Sequence, residues 1–211
     1  MSGSSSIKIN HLITSLAGCY GDIAWWPGFP DEVMIGAVLT QQTRWENVER
    51  ALINLKKKDL CSIDAIFHAD IREIEDAIRC SGFYRIKAQR LKSLALYVIE
   101  TFGGVERMAD IPTGELRAEL LNVSGIGEET ADSILCYGLD RTSFVIDAYT
   151  ARIARCIGVP EKKEHLKTLF EKNLPKDNHS YRQVHAHIVE YAKEYCGKKR
   201  CHECILLNSS G

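Results

Sequence analysis

Long apolar runs are missing from this sequence of 211 residues, and none approaches the ~20 residues that a membrane-spanning helix needs. The chain begins with the polar residues MSGSSS and lacks the apolar core of a secretion signal. We therefore expect an intracellular protein, in the cytoplasm or nucleoid, with no membrane partner. In that compartment most of its eight cysteines are expected to be free thiols. Residues 1–6 are expected to form a disordered tail.

An excess of positive charge is missing as well. The chain has 27 lysines and arginines against 28 aspartates and glutamates, which leaves a net charge of −1. A strongly basic chain would indicate nucleic acid on charge alone, and this chain does not. If it binds DNA, its basic surface is local. Basic residues cluster at 56–58, 85–92 and 198–200, and each cluster is either such a surface or an ordinary solvated face.

Strand-like alternation and internal repeats are also missing, and apolar residues recur at helical spacing along nearly the whole chain. One such series is Ile71, Ile74 and Ile78. Ser81-Gly82 follows it in the way that a C-terminal glycine cap follows a helix, and Gly103-Gly104 close a later helical series that contains Leu91 and Leu94. The sequence therefore predicts an all-α fold of about ten helices, with no Ser/Pro-rich linker to divide it.

A tight glycine turn stands between two predicted helices beyond the middle of the chain. The first helix ends near Leu121, Gly125-Ile126-Gly127 makes the turn, and a new helix begins at Glu128. Glycines permit positive φ angles and close approach of another chain, and the first amides of the new helix lack helical partners. Such amides suit a phosphate and need no side-chain charge, so a near-neutral protein can hold DNA with them. Glycine caps on a plain helix-turn-helix are the alternative.

A single aspartate, Asp147, follows the apolar run Phe144-Val145-Ile146 and precedes an amphipathic helix that contains Ile153. This position predicts the N-cap of that helix. A helix N-terminus keeps a partly buried carboxylate ionised, and such a group near a cleft stabilises a developing cation or orients a water. Asp147 is therefore the candidate catalytic residue. The alternative is that it only caps the helix.

The glycine turn and the aspartate belong to a series of segments along the chain. These are Leu39-Thr40-Gln41-Gln42-Thr43, Gly125-Ile126-Gly127, Thr130-Ala131, Ile134-Leu135, Val145-Ile146-Asp147, Arg152-Ile153 and Gly158. Together they resemble the helix-hairpin-helix/Gly-Pro-Asp superfamily of DNA glycosylases, which includes endonuclease III and the adenine glycosylase of A·G mispairs. The likeness is specific from Val33 to Gly158 and weaker at both ends.

The resemblance implies an all-helical fold with two lobes and a cleft between them. One lobe would combine residues 7–28 and 147–211, and the other would be residues 29–146, with the helix-hairpin-helix at about 114–138. Gln42 would be the wedge that fills the gap left by a flipped nucleotide, and the alternative is a buried amide between helices. The implied DNA contacts are Gly125, Ile126, Gly127 and Thr130, with added phosphate contacts from Arg85, Lys87 and Arg90.

Departures from the family pattern narrow the implied chemistry. Endonuclease III-like lyases carry a lysine two residues after the second hairpin glycine, where this chain has Glu129. A glutamate forms no Schiff base with a sugar carbon, which favours a monofunctional glycosylase that uses water and lacks lyase activity. Ser124 replaces a proline, and Ala148-Tyr149 replace a Thr-His type pair, and the fold is expected to tolerate both changes.

Three features narrow the resemblance to one group of the superfamily. They are Trp25-Trp26-Pro27, the segment 39–48 with Trp45, and Glu129. Together they resemble the 3-methyladenine DNA glycosylase III group within the superfamily. This likeness implies that Trp25, Trp26, Pro27, Trp45 and Glu129 form the base pocket. An alkylated purine carries positive charge on its ring, and desolvated aromatic faces attract a cation by ~1–2 kcal/mol. Core packing of the tryptophans is the alternative, and the role of Glu129 stays open.

The C-terminal cysteines match a metal-binding pattern of the family only in part. Many relatives hold a four-iron cluster with cysteines spaced C-x6-C-x2-C-x5-C, whereas Cys196, Cys201 and Cys204 give C-x4-C-x2-C. Ser210 stands in place of the fourth ligand. Because four thiolates are the norm, we expect no iron–sulfur cluster and no cofactor requirement. Whether the remnant binds another metal, such as zinc with His202, stays open.

These observations predict a monofunctional DNA glycosylase of base excision repair, acting as a monomer on double-stranded DNA that contains a damaged base. It would flip an alkylated purine of the 3-methyladenine type and hydrolyse the N-glycosidic bond, with Asp147 stabilising the cationic sugar. A glycosylase for thymine or uracil mispaired with guanine is the second hypothesis. The third belongs to another class, a non-catalytic helix-hairpin-helix protein that only binds DNA.

Overall fold

Residues 2–26, 28–159 and 162–208 are described by the structure, a computed structural model. These residues form twelve α-helices and no strand, so the all-α prediction is confirmed. The helices are α1 (Ser2–Tyr20), α2 (Pro30–Leu39), α3 (Trp45–Lys57), α4 (Ile63–His68), α5 (Ile71–Ile78), α6 (Tyr84–Tyr97), α7 (Thr113–Asn122), α8 (Glu128–Ser133), α9 (Ala148–Cys156), α10 (Lys163–Asn173), α11 (Asn178–Tyr191) and α12 (Ile205–Asn208). Short 3₁₀ turns occupy Arg79–Ser81, Glu106–Asp110 and Cys201–Glu203, and π-helical turns extend α6, α8 and α11 at Val98–Phe102, Ile134–Gly138 and Ala192–Cys196. Over the described ranges, no helix is both long and apolar enough to cross a membrane.

Two compact units make up the chain. The central unit is Trp26–Asp140, and the terminal unit combines Met1–Trp25 with Arg141–Gly211. The divisions fall at residues 25/26 and 140/141, slightly earlier in the chain than the expected 28/29 and 146/147. Both coincide with an unusual backbone conformation, because Trp26 and Asp140 have positive φ angles of 49° and 52°.

The core of the central unit is built around α2, in which every residue from 33 to 39 is buried. A helix that is apolar on all sides belongs in a protein interior, where other elements cover it. α3, α6, α8 and the π-helical turn after α8 pack against it. Val48, Leu52 and Leu55 of α3 supply one of the covering faces. Each side chain of this kind stabilises the fold by about 1.5–3 kcal/mol when fully buried.

Glycines end two helices of the central unit, as the sequence predicts. Gly82 follows α5 and its 3₁₀ turn with φ of +69°, and Gly103 follows α6 and its π-helical turn with φ of +74°. A residue with a Cβ is strained at such angles, whereas glycine is not. The turn at Gly82 leads the chain into α6.

In the terminal unit, α1 packs against α10 and α11. Its buried face consists of Ile9, Leu12 and Leu16, which recur at helical spacing. Phe144 stacks on Phe170 of α10 with ring centroids 4.5 Å apart. The segment that leads to α9 is therefore fixed in the core of this unit.

The prediction of a disordered tail at residues 1–6 is wrong for the residues that the structure describes. Ser2–Tyr20 is one continuous helix, and Ser6 Oγ donates a hydrogen bond to Asn173 Oδ1 at 2.7 Å. Extending a helix costs much less than starting one, so the buried face that begins at Ile9 supports the turns before it. Met1 lies outside the described residues.

Candidate active site

Asp147 ends a buried segment and begins α9. Its backbone is extended, with φ −94° and ψ −175°, and its Oδ1 accepts a hydrogen bond from Thr150 N at 2.7 Å. The predicted N-cap is therefore confirmed. Phe144, Val145 and Ile146 are all buried, so the backbone that carries the carboxylate is held by the core on one side and by α9 on the other.

The side chain of Asp147 is 13% exposed, and a histidine lies beside it. His185 Nε2, on α11, is 3.6 Å from Asp147 Oδ2. Burial raises the pKa of the carboxyl, but the His185 imidazole and the hydrogen bond from the Thr150 N–H outweigh burial and leave the pKa below its ordinary value. The carboxylate therefore stays ionised at neutral pH, in the state that stabilises a cation.

Trp26, Trp45 and Tyr137 meet in the central unit and are called the aromatic cluster. The ring centroid of Trp26 lies 5.2 Å from that of Trp45, nearly edge to face, and 5.8 Å from that of Tyr137. Gly36 of α2 makes room for the Trp26 ring, because a Cβ at Gly36 would lie 2.7 Å from Trp26 Cζ2. Trp45 is 36% exposed at the start of α3. Aromatic groups of this kind attract a cationic ring.

The indole nitrogen of Trp26 is a buried donor. No hydrogen-bond partner reaches its Nε1 from the parts of the chain that the structure describes. Leaving a buried donor unmatched costs about 1–3 kcal/mol. A ligand that brings an acceptor to this position would remove that cost.

Trp25 belongs to the terminal unit and has different partners. Its carbonyl oxygen accepts a hydrogen bond from Arg182 Nη2 at 3.1 Å, and Lys193 Nζ lies 4.8 Å from its ring centroid. Of the predicted pocket residues, the structure therefore brings Trp26 and Trp45 into contact, whereas the Trp25 ring faces a lysine. Pro27 lies outside the described residues.

The glycine turn between α7 and α8 fits closely around Arg90. Gly125 has φ of +85°, and a Cβ there would overlap Arg90 Cγ. Ile126 is buried, and its N–H donates to Val123 O at 3.0 Å. Gly127 is the extended N-cap residue of α8. Gly125 and Gly127 are both exposed, so the turn offers backbone to a partner, as the hairpin prediction requires.

Gln41 joins the segment after α2 to the hairpin. Its Nε2 donates to Gly125 O at 3.1 Å and to Thr130 Oγ1 at 3.0 Å, and its Oε1 accepts from Arg90 Nη1. Thr130, a predicted DNA contact, is buried and turns its hydroxyl to Gln41 instead, because it lies on the inner face of α8. The next residue, Gln42, is exposed with φ of +54°. A non-glycine residue held at such an angle is strained.

Lys87 does not lie at the surface, contrary to the prediction of a phosphate contact. It is 1% exposed, and its Nζ donates to Leu39 O at 2.8 Å and to Ser81 O at 2.7 Å. Desolvation lowers its pKa to about 8. The physical reason for the burial is that the ammonium group binds the Leu39 carbonyl at the C-terminal end of α2, where a cation is favoured, and the Ser81 carbonyl at the end of the 3₁₀ turn after α5. Arg85 is exposed, 5.7 Å from the Tyr84 ring centroid, and remains a candidate for phosphate binding.

Glu129 is exposed in the first turn of α8. Acidic residues are favoured at that end of a helix by the helix dipole. The hairpin beneath it is held by an ion pair between α7 and α8, in which Arg117 Nε and Nη2 donate to the buried Asp132 at 2.8 and 3.1 Å. The side chain of Glu129 is therefore presented on a firmly packed hairpin.

The eight cysteines are free thiols, and the C-terminal three differ in environment. Cys204 is buried and its Sγ accepts a hydrogen bond from the Tyr191 hydroxyl at 3.1 Å, whereas Cys201 is exposed. Burial and neighbouring thiols raise the pKa of Cys196. Among the described residues, no three His, Cys, Asp or Glu side chains are placed to hold a metal ion. Ser210 lies outside those residues, and the metal state of the tail stays a prediction.

The sequence assigned no role of its own to three residues of these arrangements: Tyr137, Gln41 and His185. Tyr137 stands in an apolar run that predicts only core packing. Gln41 is next to the glutamine predicted to be the wedge. His185 had a usable signal, because a histidine at a buried position of an amphipathic helix needs a polar partner.

Known proteins resemble this chain over most of its length. Residues 35–176 match the model of the HhH-GPD superfamily base excision DNA repair protein, in which HhH-GPD stands for helix-hairpin-helix/Gly-Pro-Asp. The "Putative DNA repair glycosylase MJ1434" of Methanocaldococcus jannaschii is 49% identical over 88% of this chain and 87% of that protein. Endonuclease III of Thermotoga maritima is 30% identical over 85% of this chain and 81% of that protein.

Two solved structures show the same architecture. The H. pylori 3-methyladenine DNA glycosylase (MagIII) bound to 1,N6-ethenoadenine has a TM-score of 0.78 and 31% identity, over 90% of this chain and 97% of that one. An endonuclease III in a non-covalent complex with DNA has a TM-score of 0.81 over 96% of this chain and 94% of that one. Its identity is 20%, so this second likeness shows the fold alone.

Proposed function

The chain belongs to the HhH-GPD superfamily as a DNA glycosylase of base excision repair, and we propose that it excises alkylated purines of the 3-methyladenine type without cutting the DNA strand. Its substrate in this proposal is double-stranded DNA with a damaged base, on which it acts inside the cell as a monomer. No cofactor takes part in the proposed reaction.

The aromatic cluster is the observation that carries this proposal. Trp26 and Trp45 lie 5.2 Å apart, and Trp45 is partly exposed. A purine that carries a methyl group on a ring nitrogen is cationic, and each desolvated aromatic face attracts it by about 1–2 kcal/mol. The 31% identity to a 3-methyladenine DNA glycosylase over 90% of the chain supports the same class of base.

Asp147 supplies the carboxylate for the chemical step. The bond between C1′ and the base breaks, its electron pair leaves with the base, and the cationic purine departs as a neutral molecule. The sugar becomes a cation that resembles an oxocarbenium ion, and the ionised carboxylate stabilises it. Water then adds to C1′ and gives a proton to the carboxylate, which leaves an abasic site. A cationic purine is a good leaving group, so this reaction needs no strong acid from the protein.

The proposed absence of strand cleavage rests on two positions of the central unit, Glu129 and Lys87. A lyase needs an amine that forms a Schiff base with C1′, and the family position for it holds Glu129. Lys87 has a pKa lowered to about 8, but it is buried and bonded to two carbonyl oxygens. We therefore expect borohydride to trap no covalent complex between the protein and DNA.

The first experiment measures base release from methylated duplex DNA, with the freed bases identified by chromatography. Three proteins are compared: the wild type, Asp147→Asn and Asp177→Asn. Asp177 is a matched control because it caps α11 in the same way, accepting a hydrogen bond from Ser180 N at 2.7 Å. Asparagine caps a helix about as well as aspartate, so both changes keep the cap and only one removes the proposed catalytic carboxylate.

We expect the wild type and Asp177→Asn to release 3-methyladenine or 7-methylguanine, and Asp147→Asn to release almost none. Equal rates for Asp147→Asn and the wild type would refute the catalytic assignment. If the wild type binds DNA but releases no base from methylated or mispaired DNA, the protein is a non-catalytic DNA-binding member of the superfamily.

A glycosylase for thymine or uracil mispaired with guanine is the second candidate, and the buried Trp26 Nε1 favours it. Neutral pyrimidines carry carbonyl acceptors that would match this donor, whereas they lack the charge that the ring faces attract. Duplexes with a G·T mispair, a G·U mispair or a methylated purine separate the two candidates. Release of the pyrimidines alone would replace the proposed substrate class.

A further inference from the structure

His185 is a buried histidine that the proposed chemistry has not yet used. It lies on α11 and is 6% exposed, and its ring stands edge-on to Phe144 with centroids 6.3 Å apart. Its Nε2 is 3.6 Å from Asp147 Oδ2, as described above. The imidazole therefore packs near both the Phe144 ring and the Asp147 carboxylate.

The two oxygens of Asp147 have different partners. Oδ1 accepts the hydrogen bond from Thr150 N, which is the helix cap, and Oδ2 faces His185. The cap alone fixes one oxygen and leaves the plane of the carboxylate free to turn about it. The imidazole nitrogen 3.6 Å from the second oxygen restricts that freedom, and a carboxylate held in place needs little reorganisation when a cation forms.

We propose that His185 is a positioning residue for Asp147, holding its Oδ2 in place and keeping the shielded carboxylate ionised. This inference rests on the proposed function, because it assigns His185 a part in the same reaction. His185 does not touch the DNA in this account and acts through Asp147 alone.

The groups around the Asp147 carboxyl set its pKa. Burial alone would raise the pKa of Asp147, and His185 and the hydrogen bond from the Thr150 N–H lower it. On α10, Lys167 and Glu171 pair with each other at 3.0 Å and bind the backbone of Phe144. Removal of the imidazole should therefore raise the carboxyl pKa. Burial would still raise that pKa, and the group that opposes burial most would be gone.

The test compares two substitutions at His185 with a matched control. His185→Leu removes the polar group, and His185→Gln returns an uncharged N–H donor close to the position of Nε2. His187→Gln is the control, because His187 is 4% exposed on the same helix and binds Gly21 O through its Nε2. Each protein is checked for its fold by circular dichroism and is then assayed under single-turnover conditions across a range of pH.

Two readouts separate a positioning role from a purely structural one. The first is the acid limb of the pH–rate profile, and the second is the titration of the Asp147 carboxyl carbon by NMR, assigned by its loss in Asp147→Asn. For His185→Leu we expect both to move upward by about one pH unit or more. Its rate at neutral pH should fall on the order of tenfold or more, with KM little changed.

His185→Gln should recover part of the rate, because its amide holds Oδ2 without charge, and its acid limb should remain displaced upward. His187→Gln should leave both readouts where the wild type has them. If base release is normal in the wild type and neither His185 variant moves the acid limb or the carboxyl titration, the positioning role is wrong and the proposed function stands. If the wild type releases no base, the proposed function fails. The NMR titration still tests His185 in that case, because an unchanged Asp147 titration in the His185 variants would overturn the positioning role.

Discussion

Trp25 and Trp26 are neighbours in the sequence, but they belong to different units and have opposite surroundings. Trp26 lies in the central unit, with Trp45 and Tyr137 around its ring and Gly36 behind it. Trp25 lies in the terminal unit, where the ammonium of Lys193 sits 4.8 Å from its ring centroid. A ring face that already meets a cation of the protein is occupied, whereas a ring among other aromatics can take a cationic base. The comparison makes Trp26 the stronger candidate for base stacking.

The largest effect expected from this comparison is on base release after removal of each indole in turn. We expect Trp26→Leu to lower kcat/KM for release of methylated purines by about a hundredfold, which corresponds to ~2.7 kcal/mol of transition-state stabilisation. Trp25→Leu should lower it by less than about threefold, because only packing beneath Lys193 is lost. Single-turnover assays with methylated duplex DNA give both values.

Thermal unfolding of the two variants shows whether a loss of base release comes only from a loss of folded protein. Both substitutions remove buried aromatic surface, so both should lower the free energy of unfolding. A larger loss of base release for Trp25→Leu than for Trp26→Leu, at similar stability, would reverse the assignment of the two rings.

A smaller loss of base release is expected when the Trp26 ring is displaced but not removed. A Cβ at Gly36 would lie 2.7 Å from Trp26 Cζ2, so Gly36→Ala must move the ring or α2. We expect a loss of ~1–3 kcal/mol in the free energy of unfolding, as for other overpacked cores, and a fall of about tenfold in base release. Denaturant unfolding and the same release assay measure the two quantities.

Gly114 provides the matched control for that change. It also lies in a helix of the central unit, in the first turn of α7, and a Cβ there would meet nothing within 4 Å. Gly114→Ala should leave base release unchanged and raise stability by up to ~1 kcal/mol, because alanine is the better helix former. Equal effects of the two substitutions would mean that Trp26 is not held by Gly36.

Local features of this chain could be predicted from its sequence because their causes lie within a few residues. The N-cap at Asp147 depends on an aspartate between a buried run and an amphipathic helix, and the structure confirms it. The helix ends at Gly82 and Gly103 depend on positive φ angles that glycine accepts. In each case the neighbouring residues alone determine the geometry.

Contacts between distant segments could not be predicted in the same way. Lys87 reads as part of a basic cluster, but its partners are carbonyl oxygens at Leu39 and Ser81, and the ammonium is buried between them. Two helices and the loops after them, α9 and α10, separate Asp147 from His185 in the sequence, and the two side chains still approach to 3.6 Å. The residues near a side chain in the sequence predict the helix to which it belongs. The packing of distant helices decides which groups that side chain contacts.

The smallest effect expected concerns the cation over Trp25. Lys193→Met keeps much of the length of the side chain and removes the ammonium group, which also pairs with Glu190 Oε1 at 2.9 Å. Because the lysine is partly exposed, the loss in the free energy of unfolding should be only ~0.5–1 kcal/mol, and high salt should reduce it. Base release should stay within about twofold of the wild type, because Trp25 is not the proposed stacking ring.

If Trp25 does receive a cationic base, removal of the competing ammonium should instead increase the affinity for DNA that contains the damaged base. An increase in release of methylated purines by Lys193→Met, lost again in the double variant with Trp25→Leu, would therefore assign the stacking role to Trp25 and leave Trp26 a core residue.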